Sequence, residues 1–92
     1  MRLSSPVPEI CRFFGIIIFI YYNEHNPPHF HAVYGEERAS FTISNLALMR
    51  GSLPPRAFAM VLEWAFMHRY DLQRAWDQAA ENQKPDKIEP LR

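Results

Sequence analysis

The sequence predicts an α+β fold: an antiparallel sheet of three or four strands in the N-terminal half, packed by one long or two consecutive C-terminal helices. Two observations predict it. Across residues 13–49, short segments rich in Ile, Phe, Tyr and Val alternate with turn residues, as strands joined by hairpin-length connections do. From Pro54 the apolar spacing changes to threes and fours, so that Phe58, Val61, Leu62, Ala65, His68, Leu72, Ala75, Trp76 and Ala79 fall on one helical stripe.

Taken in order, residues 1–9 carry Ser4-Ser5-Pro6 and Pro8 and read as a flexible arm. Residues 13–22 form an unbroken apolar run with the composition of a central strand buried on both faces. Residues 23–28 are a turn or short loop. A second strand spans 29–34, and Gly35-Glu36-Glu37 reads as a hairpin turn. The third strand, 38–43, places Ala39, Phe41 and Ile43 on one face, and a short fourth lies around 46–49, closed by Gly51. Leu53-Pro54-Pro55 opens the helical segment, expected over 54–83, because proline is tolerated in a first turn. Tyr70-Asp71 is the expected break if there are two helices, Asp being a good cap. Lys84-Pro85 stops the pattern, and Ile88 and Leu91 in the tail, 87–91, are spaced to dock on the body.

A chain of 92 residues is one domain's worth of core. Its 48% hydrophobic content argues for a folded globular chain rather than a disordered one. Ten Lys and Arg balance ten Asp and Glu, so net charge announces neither nucleic acid nor a membrane surface. A single cysteine, Cys11, excludes a disulfide framework and a cysteine-based zinc motif, which fits a reducing, cytoplasmic setting. The apolar run at 13–22 is far short of the ~20 residues a spanning helix needs. It is followed by Tyr21-Tyr22-Asn23-Glu24 rather than by small residues, so it is not read as a signal peptide, and no membrane partner is expected. The only glycines are Gly15, Gly35 and Gly51, which leaves no phosphate-cradling loop.

The strongest functional signal is His25-Asn26-Pro27-Pro28-His29-Phe30-His31, with three of the four histidines in seven residues. The prolines fix φ and remove two donors, so the segment is extended or turned. In the strand that follows, His29 and His31 share a face and Phe30 takes the other. Three chemistries suit such a cluster. His25, His29 and His31 match the count of a three-ligand site for a divalent metal such as zinc, with Glu24 or His68 as a fourth ligand or a supporting acceptor. Without metal, two imidazoles act as base and acid on a phosphodiester, with Arg38, Arg56 or Arg69 holding the phosphate. Alternatively the rings are structural, anchoring the Asn26-Pro27-Pro28 turn through backbone hydrogen bonds. His68 lies on the apolar helix stripe, where a satisfied core histidine is the common outcome. Glu63 could orient a histidine, and Trp64 and Trp76 suit core or interface anchors.

With these residues in place, the chain resembles a small bacterial family catalogued as domain of unknown function 4160. The resemblance rests on Phe14-Gly15-Ile16-Ile17-Ile18, on Tyr21-Tyr22-Asn23-Glu24-His25-Asn26-Pro27-Pro28-His29-Phe30-His31-Ala32, and on Gly51-Ser52-Leu53-Pro54. It continues through Leu62-Glu63-Trp64-Ala65, His68-Arg69, Trp76 and Ile88-Glu89-Pro90-Leu91. It implies a prokaryotic cytoplasmic protein encoded beside a second small protein, an arrangement suggested to be a toxin–antitoxin module. The expectation that follows is a toxin acting on RNA or another nucleic acid through His25, His29, His31 and His68, with Glu24, Asn26, Glu63, Trp64 and Arg69 in support. Its partner would be the small cognate protein, and self-association is a further option. The rival expectation, from a different class, is a non-enzymatic antitoxin-like or adaptor module whose histidines shape a surface or bind metal.

Overall fold

The computed structural model describes residues 7–92. The expected arm therefore lies largely outside the described residues, and its last member, Glu9, opens a strand. Five strands form one antiparallel meander in chain order: β1 (Glu9–Phe13), β2 (Ile16–Phe19), β3 (His29–Tyr34), β4 (Glu37–Thr42) and β5 (Leu48–Gly51). Two helices follow, α1 (Pro55–Met67) and α2 (Arg69–Ala80). The architecture is α+β, as expected, with five strands rather than three or four.

The extra strand, β1, precedes the long apolar run and shares only Phe13 with it, because the run opens on a turn and supplies β2 alone. Phe13 pairs with Ile16 across a two-residue turn in which Phe14 and Gly15 both have positive φ, 47° and 82°. Such a turn matches the right-handed twist of the two flanking strands and folds the chain back on itself. Apolar composition alone hides the turn, because its first residue is Phe rather than Asn or Asp. The β3–β4 hairpin turns at Gly35-Glu36, since Tyr34 pairs with Glu37. At Gly51 φ is +79°, and a Cβ there would collide with the Arg38 carbonyl oxygen, so β5 can close onto β4 only with glycine.

The helix break also differs from its expected place. It falls at His68, which ends α1 and precedes α2, rather than at Tyr70-Asp71. Asp71 instead sits in the first turn of α2, where a carboxylate is favoured by the helix dipole and accepts a hydrogen bond from His68 Nδ1 at 3.2 Å.

Alternation gives the sheet two unlike faces. One carries Ile16, Ile18, Phe30, Ala32, Ala39 and Phe41, all buried, against Ala57, Val61, Trp64 and Ala65 of α1 and Leu72 of α2. Trp64 is fully buried, lies 5.4 Å from Phe13 and 6.1 Å from Phe30 by ring centroid, and donates its Nε1–H to the Glu89 carbonyl at 2.8 Å. The tail is held along β1 as well, with the Ile88 N–H on the Ile10 carbonyl at 2.8 Å. That contact covers an edge strand that would otherwise offer unpaired backbone groups. The opposite face presents two rungs set by the register, Phe19–His31–Ser40–Arg50 and Ile17–Val33–Arg38. Among the described residues no helix is long and apolar enough to cross a membrane.

Candidate functional site

The second face holds the histidine pair, and the loop leading into β3 completes it. That loop is pinned at both ends. Asn23, at a left-handed φ of 52°, donates its N–H to the Ala79 carbonyl of α2 at 3.2 Å, and its side-chain amide donates to Asn82 at 3.3 Å. At the far end the Ile43 N–H donates to the Pro28 carbonyl at 3.0 Å. Between these anchors the Asn26–Pro27 peptide is cis, and Glu24 is turned toward the start of β3.

Glu24 receives both imidazoles. His29 Nε2 lies 3.1 Å from Glu24 Oε2, and His31 Nε2 lies 3.1 Å from Glu24 Oε1. His29 Nδ1 is 2.7 Å from the Pro27 carbonyl oxygen, which can only accept, so this nitrogen carries a proton. A neutral His29 therefore turns the lone pair of Nε2 toward a carboxylate oxygen. Two electron-rich atoms at that separation need a cation between them, either a proton or a metal ion.

Aromatic packing fixes the rings. Phe19 stacks on His31 at 5.1 Å and 10°, Tyr21 meets it edge-on at 4.8 Å, and Trp76 of α2 lies 5.3 Å from His29. His29 is buried and His31 about four-fifths buried. Burial lowers the His31 pKa from its ordinary value of 6.5, against the opposing pull of Glu24, and His29 and Arg38 add to the lowering. The neutral ring, the form that ligates metal or accepts a proton, is favoured.

His31 also lines a groove of about 200 Å³ together with Tyr21, Arg38, Ser40 and Arg50. Two guanidinium groups thus stand beside the Glu–His pair on an otherwise neutral chain. A larger hollow of about 370 Å³, lined by Phe14, Tyr34, Arg56, Met60, Glu63 and Arg92 among others, lies elsewhere, and among the described residues the group of three histidine or carboxylate ligands is the Glu24–His29–His31 set instead. Chemistry rather than size therefore selects the smaller groove.

The residues singled out in the sequence separate into two groups. Glu24, His29 and His31 each offer a ligand atom, and the three atoms lie within 4.8 Å of one another. His25 is exposed and is not part of that set; the chain turns at Asn26-Pro27 between it and β3, and Glu24 takes the third position. Asn26 is exposed in the same turn. His68 is a partner of Asp71 and lies 5.5 Å from the Trp64 ring, apart from the cluster. Glu63 and Arg56 line the larger hollow, and Trp64 is a core anchor. Arg69 donates to the Ser44 carbonyl at 2.7 Å. Arg38 does stand beside His31. Sequence reasoning misses Arg50, Ser40, Phe19 and Tyr21 as members of the site. Alternation along β4 pairs Ser40 with Arg38, but only the register aligns Arg50 with them.

The sequence matches the family described as Domain of unknown function (DUF4160) over residues 15–77. The chain belongs to this family. Every residue of the Glu24–His29–His31 set and of its groove lies inside the matched segment, whereas Ile88-Glu89-Pro90-Leu91 lies beyond it. No curated protein and no solved structure matches the chain.

Proposed function

We propose that this protein is the toxin of a toxin–antitoxin pair and cleaves a phosphodiester bond of RNA or another nucleic acid at the Glu24–His29–His31 centre. The observation that carries this reading is the convergence of both Nε2 atoms on one carboxylate beside a groove lined by Arg38 and Arg50. Hydrolysis or transesterification of a phosphodiester needs an oxygen nucleophile stripped of its proton and donors for the charge that grows on the phosphoryl oxygens. The centre supplies the first requirement. Arg38 and Arg50 supply the second, with the planar donor geometry that suits phosphate. Tyr21 at the same groove offers a ring on which a base can stack.

Zero net charge argues against tight, non-specific nucleic-acid binding, so affinity must come from these local groups. The test is induction of the chain in bacteria without its neighbour. Wild type arrests growth, and Glu24→Gln, checked for an unchanged melting curve, does not. Arrest of equal depth from both removes the centre from the mechanism, and no arrest from either removes the toxin reading.

A second reading, the non-enzymatic partner-binding module, draws on a different surface. Phe66, Met67 and Tyr70 at the α1–α2 junction are 70%, 58% and 92% exposed, an apolar cluster suited to a protein partner. Loss of copurification with the neighbouring protein in Phe66→Asp, but not in Glu24→Gln, combined with no cleavage of RNA, would favour it.

A further inference from the structure

We propose that Glu24, His29 and His31 bind one divalent first-row transition cation, with zinc as the reference ion, through His29 Nε2, His31 Nε2 and one Glu24 oxygen. His31 Nε2 lies 3.1 Å from Glu24 Oε1 and His29 Nε2 lies 3.1 Å from Oε2, so whichever oxygen ligates already has one of the two nitrogens at that distance. Ligands bonded to zinc at about 2.0–2.1 Å in tetrahedral arrangement stand about 3.3 Å apart, so this geometry needs only small rotations to close on an ion. The other two separations lie within the 4.8 Å span of the set and narrow by the same rotations.

Three further features fit an ion. His29 donates Nδ1–H to the Pro27 carbonyl, the outer hydrogen bond that fixes the tautomer and aims Nε2 of a metal-ligating histidine. The rings are held by Phe19, Tyr21 and Trp76, so little side-chain freedom remains to be lost on binding. Two imidazoles and a carboxylate are donors for zinc, manganese, iron or nickel; calcium and magnesium prefer six or more oxygens. With one carboxylate and two neutral imidazoles the bound ion keeps one net positive charge. Three protein ligands leave a coordination position open, and His31 places the site beside the groove with Arg38 and Arg50.

This inference goes beyond the nuclease reading, because ion binding is measured with no substrate present. The experiment titrates tag-free, chelator-treated protein with Co²⁺, followed by its visible absorption, and then displaces it with Zn²⁺. The expected result is one equivalent bound. Glu24→Gln and His31→Ala should bind more than about tenfold more weakly, the low end of what even an outer hydrogen-bond partner costs. Zinc should raise the melting temperature of wild type and leave that of Glu24→Gln unmoved. His29 is buried and its replacement risks the fold, so the test relies on the two more accessible ligands. Less than a tenth of an equivalent on wild type, or weakening below tenfold in both variants, overturns the proposal. Protein that cleaves RNA but takes up less than a tenth of an equivalent of metal would remove the ion and keep the nuclease. Protein that binds zinc but neither arrests growth nor cleaves RNA would do the reverse.

Discussion

Strand β3 divides its six residues between two environments that follow opposite rules. Phe30 and Ala32 belong to the buried apolar core under α1. His29, His31 and Val33 point the other way, where a carboxylate, two guanidinium groups and aromatic rings collect. The first face gains from removing apolar area from water, at roughly 25 cal/mol per Å². The second holds polar groups whose partners must be supplied one by one, since each unpaired atom there is costly. One strand therefore carries stability on one side and chemistry on the other, and a substitution can strike either without the other.

The largest expected effect is on the apolar side. Trp64 has no exposed surface, touches Phe13 and Phe30, and anchors the C-terminal tail through Glu89. Trp64→Ala should cost about 3–5 kcal/mol, read from urea denaturation, because it leaves a cavity as well as removing a hydrogen bond. A cost near zero would mean that α1 does not close the sheet's core as described.

The two faces differ in how legible they are in the sequence, and the reason is physical. Periodicity reports local geometry, so the switch at Pro54 and the shared face of His29 and His31 can be read from spacing alone. It cannot report which strands pair, and the Phe14-Gly15 turn lacks the polar residues that usually mark one. The helix break is displaced for a similar reason: Asp71 has the chemistry of a cap, yet it acts in the first turn while His68 takes the junction. Within the site, neighbours in sequence are visible and neighbours across strands are not. Glu24 stands out beside the histidine run, whereas Arg50 joins only through the Ser40–Arg50 pairing beyond His31. His25 shows the opposite error, in which closeness along the chain stands in for closeness in space.

A smaller effect belongs to the polar side. His31 has a pKa below its ordinary 6.5 because burial disfavours its charged form. Between that lowered value and 6.5 the unfolded chain binds more protons than the folded one. Stability of the metal-free protein should therefore fall as pH drops through 6.5 and level off once both states are protonated. In His31→Ala that component of the pH dependence should vanish, at a cost of about 1.5 kcal/mol or less at pH 8 for the lost stacking on Phe19. An unchanged pH slope in the variant would show that His31 does not report the buried environment described for it.

The smallest effect is expected at His25, and it separates the two ways of reading the cluster. Read along the chain, His25 is one of three equivalent histidines; read in space, it is exposed on the far side of the Asn26-Pro27 turn, and Glu24 occupies the place it would have filled. An exposed residue outside any cap, ion pair or packed contact shifts stability by no more than about 0.5 kcal/mol when truncated. His25→Ala should melt as wild type does, bind Co²⁺ with the same stoichiometry, and arrest growth to the same depth. The turn itself should survive, because it is held by the Asn23 and Ile43 backbone hydrogen bonds and by the prolines rather than by the imidazole. A tenfold loss of cobalt affinity in His25→Ala, with Glu24→Gln unaffected, would return His25 to the centre and displace Glu24 from it.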